Sequence, residues 1–366
     1  MTPDPAGVRA EGQRLLAAFV AAGAQPVEAD ILQPAEVLLD LYGEDIRARA
    51  YVTQDPLRGE MMLRPDFTVP VVQAHMQGGA EPARYAYLGE VFRKQESRKS
   101  ERASEYLQAG FELFDRERPA EADAEVFALF ARLLAPLRLR AATGDIGILR
   151  AAVQGLPTSA ARKAALLRHL WRPHRFRALL ERYAGRVPVS PERATLLELL
   201  ARGERPVSDA PHIGLRSVAE IDARLQLLAE DAATPPVAAG LVDDLEALVS
   251  IAAKAPAALQ ELRAHARVLP WIVESVTGFA RRLEALEARG IDVADLDFEA
   301  SYGRTTLEYY DGFVFGFVAE ARPDLPPVAT GGRYDALTAV LGQGRSIPAV
   351  GGVIRPALVA ALKGAG

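Results

Sequence analysis

Two stretches of this chain, RYAYLGEVFRK at 84–94 and YLQAGFELFD at 106–115, constrain its fold more than any other feature. Each reads as a strand. Between them lies QESRKSERAS, charged and without an apolar anchor. Two strands joined by a polar loop predict an antiparallel hairpin. Side chains of a strand alternate faces with a period of two. Leu107, Ala109, Phe111 and Leu113 therefore share one face, which is core. Tyr106, Gln108, Gly110, Glu112 and Phe114 share the other. That second face carries an amide and a carboxylate, with Gly110 leaving space between them. Glu112 there would hold a cationic or donor group, and Gln108 would reach a second polar atom. A solvated sheet face has the same pattern.

The rest of the chain follows in a legible order. Residues 8–22 have helical spacing and end at Gly23. PVEADILQP is a short extended segment closed by Pro34, and residues 35–53 suggest a short helix leading into a strand. Residues 119–137 predict a helix with Pro119 near its start and one stripe made by Val126, Leu129, Phe130, Leu133 and Leu134. Roughly 147–290 is rich in Ala, Leu, Arg and Glu with helical periodicity, and strand character returns at 296–318. The expected fold is α+β: an antiparallel sheet with flanking helices, split by a helical insertion. The expected division is 1–146 for the first part of the core, 147–290 for the insertion and 291–366 for the second part. Strict β-α alternation is absent, and GQGR and TGG do not have the spacing of a phosphate loop.

A net charge of −5 over 366 residues argues against a chain whose main task is gripping nucleic acid. With no cysteine, disulfides, thiolate metal sites and cysteine nucleophiles are excluded. The five histidines show no metal spacing, so no metal site is expected. The start of the chain does not read as a signal peptide, and no apolar window reaches membrane-spanning length. The expectation is a cytoplasmic protein with no membrane or nucleic-acid partner.

Four more segments carry candidate chemistry. In MLRPDFTVPVVQAHM, Asp66 and Thr68 share one parity; either also suits the N-cap of a following helix. In EYYDGFVFGFV both faces of the strand are apolar and buried, while Tyr309 and Tyr310 would point oppositely, one offering a hydroxyl to a pocket. In TGGRYDAL a glycine pair, read as a turn or a close backbone approach, precedes Arg333, Tyr334 and Asp335; an Arg–Asp ion pair is the plain alternative. The loop 93–102 holds Arg93, Lys94, Arg98, Lys99 and Arg102, and suits phosphates or a solvated hairpin tip.

These segments, in this order, resemble histidyl-tRNA synthetase and its paralogues. LRPDFT is similar to that family's Leu-Arg-Pro-Glu-Gly-Thr segment. YLGEVFRKQ…YLQAGFELF resembles class II motif 2, with Arg93 as its arginine and a candidate phosphate contact. LEYYDGFVF and TGGRYDAL are similar to the two histidine-specific signatures, and ADILQP, ending at Pro34, resembles motif 1, which builds the dimer interface in that family. The resemblance implies a histidine pocket made of Asp66, Thr68, Gln108, Glu112, Tyr310 and Tyr334. Asp66, Thr68 and Gln108 would face the α-amino group, Glu112 and Tyr310 would bracket the imidazole, and Tyr334 would line the wall.

Departures from the pattern point further. The family's catalytic arginine aligns with Thr305, with Arg304 one residue off. Its phosphate-gripping motif 3 arginine aligns with Leu358, with Arg355 almost one turn earlier. Two preorganised cations account for much of the stabilisation of a transferring phosphate. The family's anticodon-binding domain also has no counterpart before residue 366. This combination resembles the regulatory subunits of ATP phosphoribosyltransferase, which act in the first step of histidine biosynthesis. The resemblance implies no catalytic residue and no cofactor. It implies a short catalytic subunit as partner in a hetero-octamer, a self-dimer, and histidine as effector. The alternative is an amino-acid-activating ligase acting on a non-tRNA acceptor, with Arg304 or Arg355 replacing the lost cations. An RNA-binding module built on the loop 93–102 is a third reading, opposed by the acidic charge.

Overall fold

Helix α1 (Pro5–Ala21) starts where the Asp4 carboxylate accepts the backbone N–H groups of Ala6 and Gly7. It stops just ahead of Gly23, whose φ of +91° suits a residue without a β-carbon. The protein is represented by a computed structural model that describes residues 4–35, 48–95, 103–204, 206, 216–303 and 309–364. After α1 come β1 (Gln25–Pro26), β2 (Leu32–Pro34), β3 (Val52–Asp55), β4 (Gly59–Leu63) and α2 (Thr68–Met76). The expected hairpin follows as β5 (Ala83–Phe92) and β6 (Glu105–Phe114), then α3 (Pro119–Leu134) and β7 (Arg140–Asp145). A run of helices comes next: α4 (Ile146–Gln154), α5 (Ala160–Arg168), α6 (Pro173–Tyr183), α7 (Pro191–Ala201), α8 (Val218–Ala233) and α9 (Ala239–Val249). The short strand β8 (Ala252–Lys254) interrupts it before α10 (Ala255–Val268) and α11 (Val273–Ala288). The chain then forms β9 (Asp297–Glu299), β10 (Phe313–Val318), β11 (Ala329–Arg333), α12 (Asp335–Leu341), β12 (Ala349–Ile354) and α13 (Pro356–Lys363).

Among the described residues the frame is a nine-stranded sheet in the order β1–β5–β6–β12–β11–β10–β7–β9–β8, with β2, β4 and β3 in a smaller sheet. The expected antiparallel sheet with flanking helices forms its body, from β5 through β6, β12, β11 and β10 to β7, and two parallel pairs extend it. β1 pairs with β5, and β7 with β9, in parallel. Parallel neighbours need a long crossover. Residues 27–82 lie between the first pair and the helical insertion between the second, and local periodicity does not reveal which strands such connections bring side by side.

Of the two readings of the glycine pair in TGGRYDAL, the structure has the close approach and not the turn, and a second pair faces it. Gly331 and Gly332 lie in the middle of β11, and Gly351 and Gly352 in the middle of β12, with Gly331 opposite Gly352 and Gly332 opposite Gly351. Each member of a pair clears a different face. A β-carbon on Gly352 would stand 3.1 Å from the Phe130 ring, and one on Gly331 would collide with Phe315. On the other face, a β-carbon on Gly332 would meet Tyr310, and one on Gly351 would fall 1.5 Å from Glu112 Oε2.

The first of these faces is the core. Phe127 of α3 contacts Phe313, Phe315 and Phe317 of β10, with centroids 5.3–6.2 Å apart. Phe19 of α1 packs on Phe111 and Phe130. A buried chain of charges crosses the same face: Arg333 and Arg282 of α11 both donate to Asp123 of α3, and Arg282 also donates to Asp145. Arg333 makes the expected pair with Asp335 as well, at 3.1 Å.

Candidate ligand site

The opposite face of β6 carries the site. Strand alternation puts Gln108, Gly110 and Glu112 on it, and the register with β5 sets Tyr87 directly across from Gly110. Glu112 and Gln108 are each about 1% exposed, so this face is walled rather than solvated. α2 lies above it, beginning at Thr68.

Glu112 is the hub. Its Oε1 accepts the Thr68 hydroxyl at 2.9 Å and the Tyr87 hydroxyl at 3.0 Å. Its Oε2 accepts the Tyr334 hydroxyl at 2.6 Å. Burial pushes its carboxyl up to about 7, against the pull of these three hydroxyls; nearby Asp66 adds a smaller push. Burial beside Glu112 also holds the Tyr87, Tyr310 and Tyr334 phenols well above their ordinary value, so all three remain hydroxyls at neutral pH. The result is an enclosed carboxylate among neutral donors.

Gln108 stands on the same face, and its Oε1 is buried without a hydrogen-bond partner among the described residues. Buried polar atoms are nearly always satisfied, so an open acceptor here suits a donor brought from outside. Asp66 is buried ahead of α2. The N-cap of α2 is neither Asp66 nor Thr68 but Phe67, which makes no side-chain cap bond; Asp66 Oδ1 lies 3.5 Å from the Val69 N–H. Tyr309 and Tyr310 precede β10 rather than belonging to it. They do not point oppositely: their rings contact each other at 4.9 Å, Tyr310 covers Gly332, and the Tyr309 hydroxyl donates to Thr68 Oγ1 at 3.4 Å.

Thr68, Glu112 and Tyr334 are thus joined by hydrogen bonds, and Tyr310 and Asp66 lie near enough to act electrostatically on the same carboxylate or be acted on by it. The space expected at Gly110 is filled: a β-carbon there would lie 2.1 Å from Tyr87 Cζ. Tyr87 and Gly351 are site residues that sequence reasoning missed. The hairpin register alone would have found Tyr87, because it sets a large side chain opposite a glycine.

The cations are placed as follows. Arg93 is buried, and its Nε donates to the Pro65 carbonyl at 2.8 Å, just before Asp66. Arg98, Lys99 and Arg102 lie outside the described residues, as do Arg304 and Thr305. Arg355 donates to the Pro327 carbonyl at 2.6 Å, and Leu358 packs against the core. Among the described residues no three His, Asp or Glu side chains converge as a metal site, and no helix is long and apolar enough to cross a membrane.

The histidyl-tRNA synthetase family model matches residues 3–234 and 222–357. The ATP phosphoribosyltransferase regulatory subunit of Rhizobium johnstonii is 32% identical over 357 residues, covering 92% of this chain and 93% of its own. That of Agrobacterium fabrum is 34% identical over 355 residues, covering 92% of each. Among solved structures, an ATP phosphoribosyltransferase regulatory subunit/histidyl-tRNA synthetase from Bacillus halodurans superposes with a TM-score of 0.67 at 20% identity, over 97% of this chain and 79% of that one. A histidyl-tRNA synthetase from Nostoc sp. PCC 7120 gives 0.62 at 16% identity, over 98% and 71%. At these identities the structural likeness speaks for the fold.

Proposed function

Because the chain belongs to the histidyl-tRNA synthetase family, and within it to the ATP phosphoribosyltransferase regulatory subunits, we propose that it is a cytoplasmic, non-catalytic subunit that senses histidine for a separate catalytic chain. One observation carries the sensing half of this reading: an enclosed carboxylate ringed by hydroxyls, Glu112, shares a wall with a buried amide acceptor that has no donor among the described residues, Gln108. An imidazole N–H at Glu112 and an α-ammonium at Gln108, Asp66 and Thr68 match that pattern. Tyr310 and Tyr334 supply aromatic walls. In this reading residues 1–146 and 291–366 are the core, 147–290 is the insertion, and a self-dimer joins catalytic chains in a hetero-octamer.

Histidine regulates such an assembly only if it binds two states of it unequally. Loss of adenylating chemistry fits Leu358, which packs against the core where the family pattern has a cation, and Arg355, which braces a backbone carbonyl. The test is co-expression with a short ATP phosphoribosyltransferase catalytic chain. The two chains are expected to co-elute, phosphoribosyl transfer to ATP to require both, and histidine to inhibit it. Histidine-dependent ATP–pyrophosphate exchange by this chain alone would overturn the non-catalytic reading in favour of a ligase.

A further inference from the structure

An ionised carboxylate has about four acceptor sites. Among the described residues Glu112 uses two on Oε1, for Thr68 and Tyr87, and one on Oε2, for Tyr334. Gly351 forms the floor beneath this carboxylate, where even a methyl group would not fit against Oε2. We propose that Glu112 offers a ligand one acceptor site only, that Tyr87 is the positioning residue that sets this number, and that the pocket thereby selects a side chain with a single N–H at its tip over a forked donor such as a guanidinium. The inference rests on the reading of this pocket as an amino-acid site and adds to it the rule by which the side chain is chosen.

The placement of Tyr87 is over-determined. Its ring lies over Gly110 and stacks on Phe67, with centroids 4.3 Å apart and planes 11° from parallel. The Arg64 guanidinium covers the far side of Phe67 at 4.1 Å. Arg64 is itself fixed by donating to the carbonyls of Glu90 and Ala29. Gly89, the next residue of that face of β5, leaves room for Arg64 and Phe67 to come down onto the strand. The column Arg64–Phe67–Tyr87 therefore delivers one hydroxyl to Oε1 and holds it there. With Oε1 filled from two sides, a guanidinium cannot use both oxygens, which is the geometry that makes arginine–carboxylate pairs strong. A single ring N–H needs only the site left on Oε2.

Tyr87→Phe tests this, since it keeps the ring over Gly110 and against Phe67 and removes only the donor. Calorimetry would compare L-histidine with 2-amino-3-guanidinopropionate, a forked donor on a chain of similar length. The wild type is expected to prefer histidine at least a hundredfold, and the variant to narrow that preference at least tenfold. An unchanged preference would overturn the proposal. A second measurement needs no ligand: urea midpoints of both proteins from pH 5 to 9. Among the described residues the titratable groups facing Glu112 are Asp66 ahead of α2, Tyr87 of β5, Tyr334 after β11 and Tyr310 before β10. Only the Tyr87 donor changes, and losing a hydrogen bond to a charged group moves the Glu112 transition upward by about one pH unit. A lower midpoint at every pH with no such displacement would make Tyr87 mere filler and overturn the proposal. Displacement without any histidine binding by the wild type would support the acceptor count and remove histidine as the ligand.

Discussion

Replacing Glu112 with glutamine is expected to make the empty protein more stable in base and unchanged in acid. The native Glu112 carboxyl titrates near 7, raised from 4.5 first by burial. The folded protein therefore binds a proton at this site more tightly than the unfolded chain does. Stability falls with rising pH wherever the native state holds more protons. The Glu112 contribution is neutral below about pH 4.5 and becomes fully unfavourable above about pH 7. At about 1.4 kcal/mol per pH unit, that gap corresponds to about 3 kcal/mol. The glutamine amide does not ionise, so the variant is free of it. Asp311 and Asp335 are also raised by burial, Asp311 to about 6, but they titrate in both proteins and cancel in the difference. The assay is urea unfolding of the wild type and Glu112→Gln at pH 5, 6, 7 and 8 without ligand. With a slope of about 3 kcal/mol per molar urea, the midpoints should separate by about 1 M between the ends of the series. Parallel profiles would refute the reasoning, because they would mean that Glu112 has the same affinity for its proton folded and unfolded. A donor N–H at the open site of Oε2 favours the ionised form, so histidine should stabilise the wild type more at pH 8 than at pH 5 and should not bind Glu112→Gln.

Two further changes probe the floor and the core. Gly351→Ala places a methyl group against Glu112 Oε2 and the Phe111 carbonyl; overpacking of this kind costs about 1–3 kcal/mol, and histidine affinity measured by calorimetry should fall at least tenfold, whereas wild-type affinity would show that the carboxylate does not sit over β12. Asp123→Ala leaves the buried Arg282 and Arg333 sharing one carboxylate fewer; chemical denaturation should show a loss of about 3–5 kcal/mol, partly restored by adding Arg282→Met, and a loss below about 1 kcal/mol would mean that the chain of charges is not the tie between α3, β11 and α11.

The side of β6 that faces the site was legible because a two-residue period is local and Leu107, Ala109, Phe111 and Leu113 mark the core face without help from the rest of the chain. Nothing local marks β11 and β12. The glycine pair of TGGRYDAL reads equally as a turn or a close approach, because the reason for both pairs lies on other elements, in Glu112, Tyr310, Phe315 and Phe130, which need the space. The same holds for Tyr87: read alone it is one more strand tyrosine, and only pairing with Gly110 gives it a destination. Arg333 was expected to meet Asp335, two residues away, and does; its stronger tie to Asp123 spans 210 positions and has no signature in sequence. Asp66 and Thr68 looked like helix caps because capping is the commonest local use of such residues. Burial beside Glu112 gave Thr68 a different partner.

The square of glycines at 331, 332, 351 and 352 leaves the sheet bare of side chains there, with a carboxylate on one side and the phenyl rings of Phe130 and Phe315 on the other. A pocket with such a base cannot be deepened, since there is no side chain beneath it to trim. If the site takes an amino acid as proposed, a variant for a bulkier one must gain its volume overhead, from Thr68 and Tyr309, so the ceiling and not the ground decides how large a guest it admits.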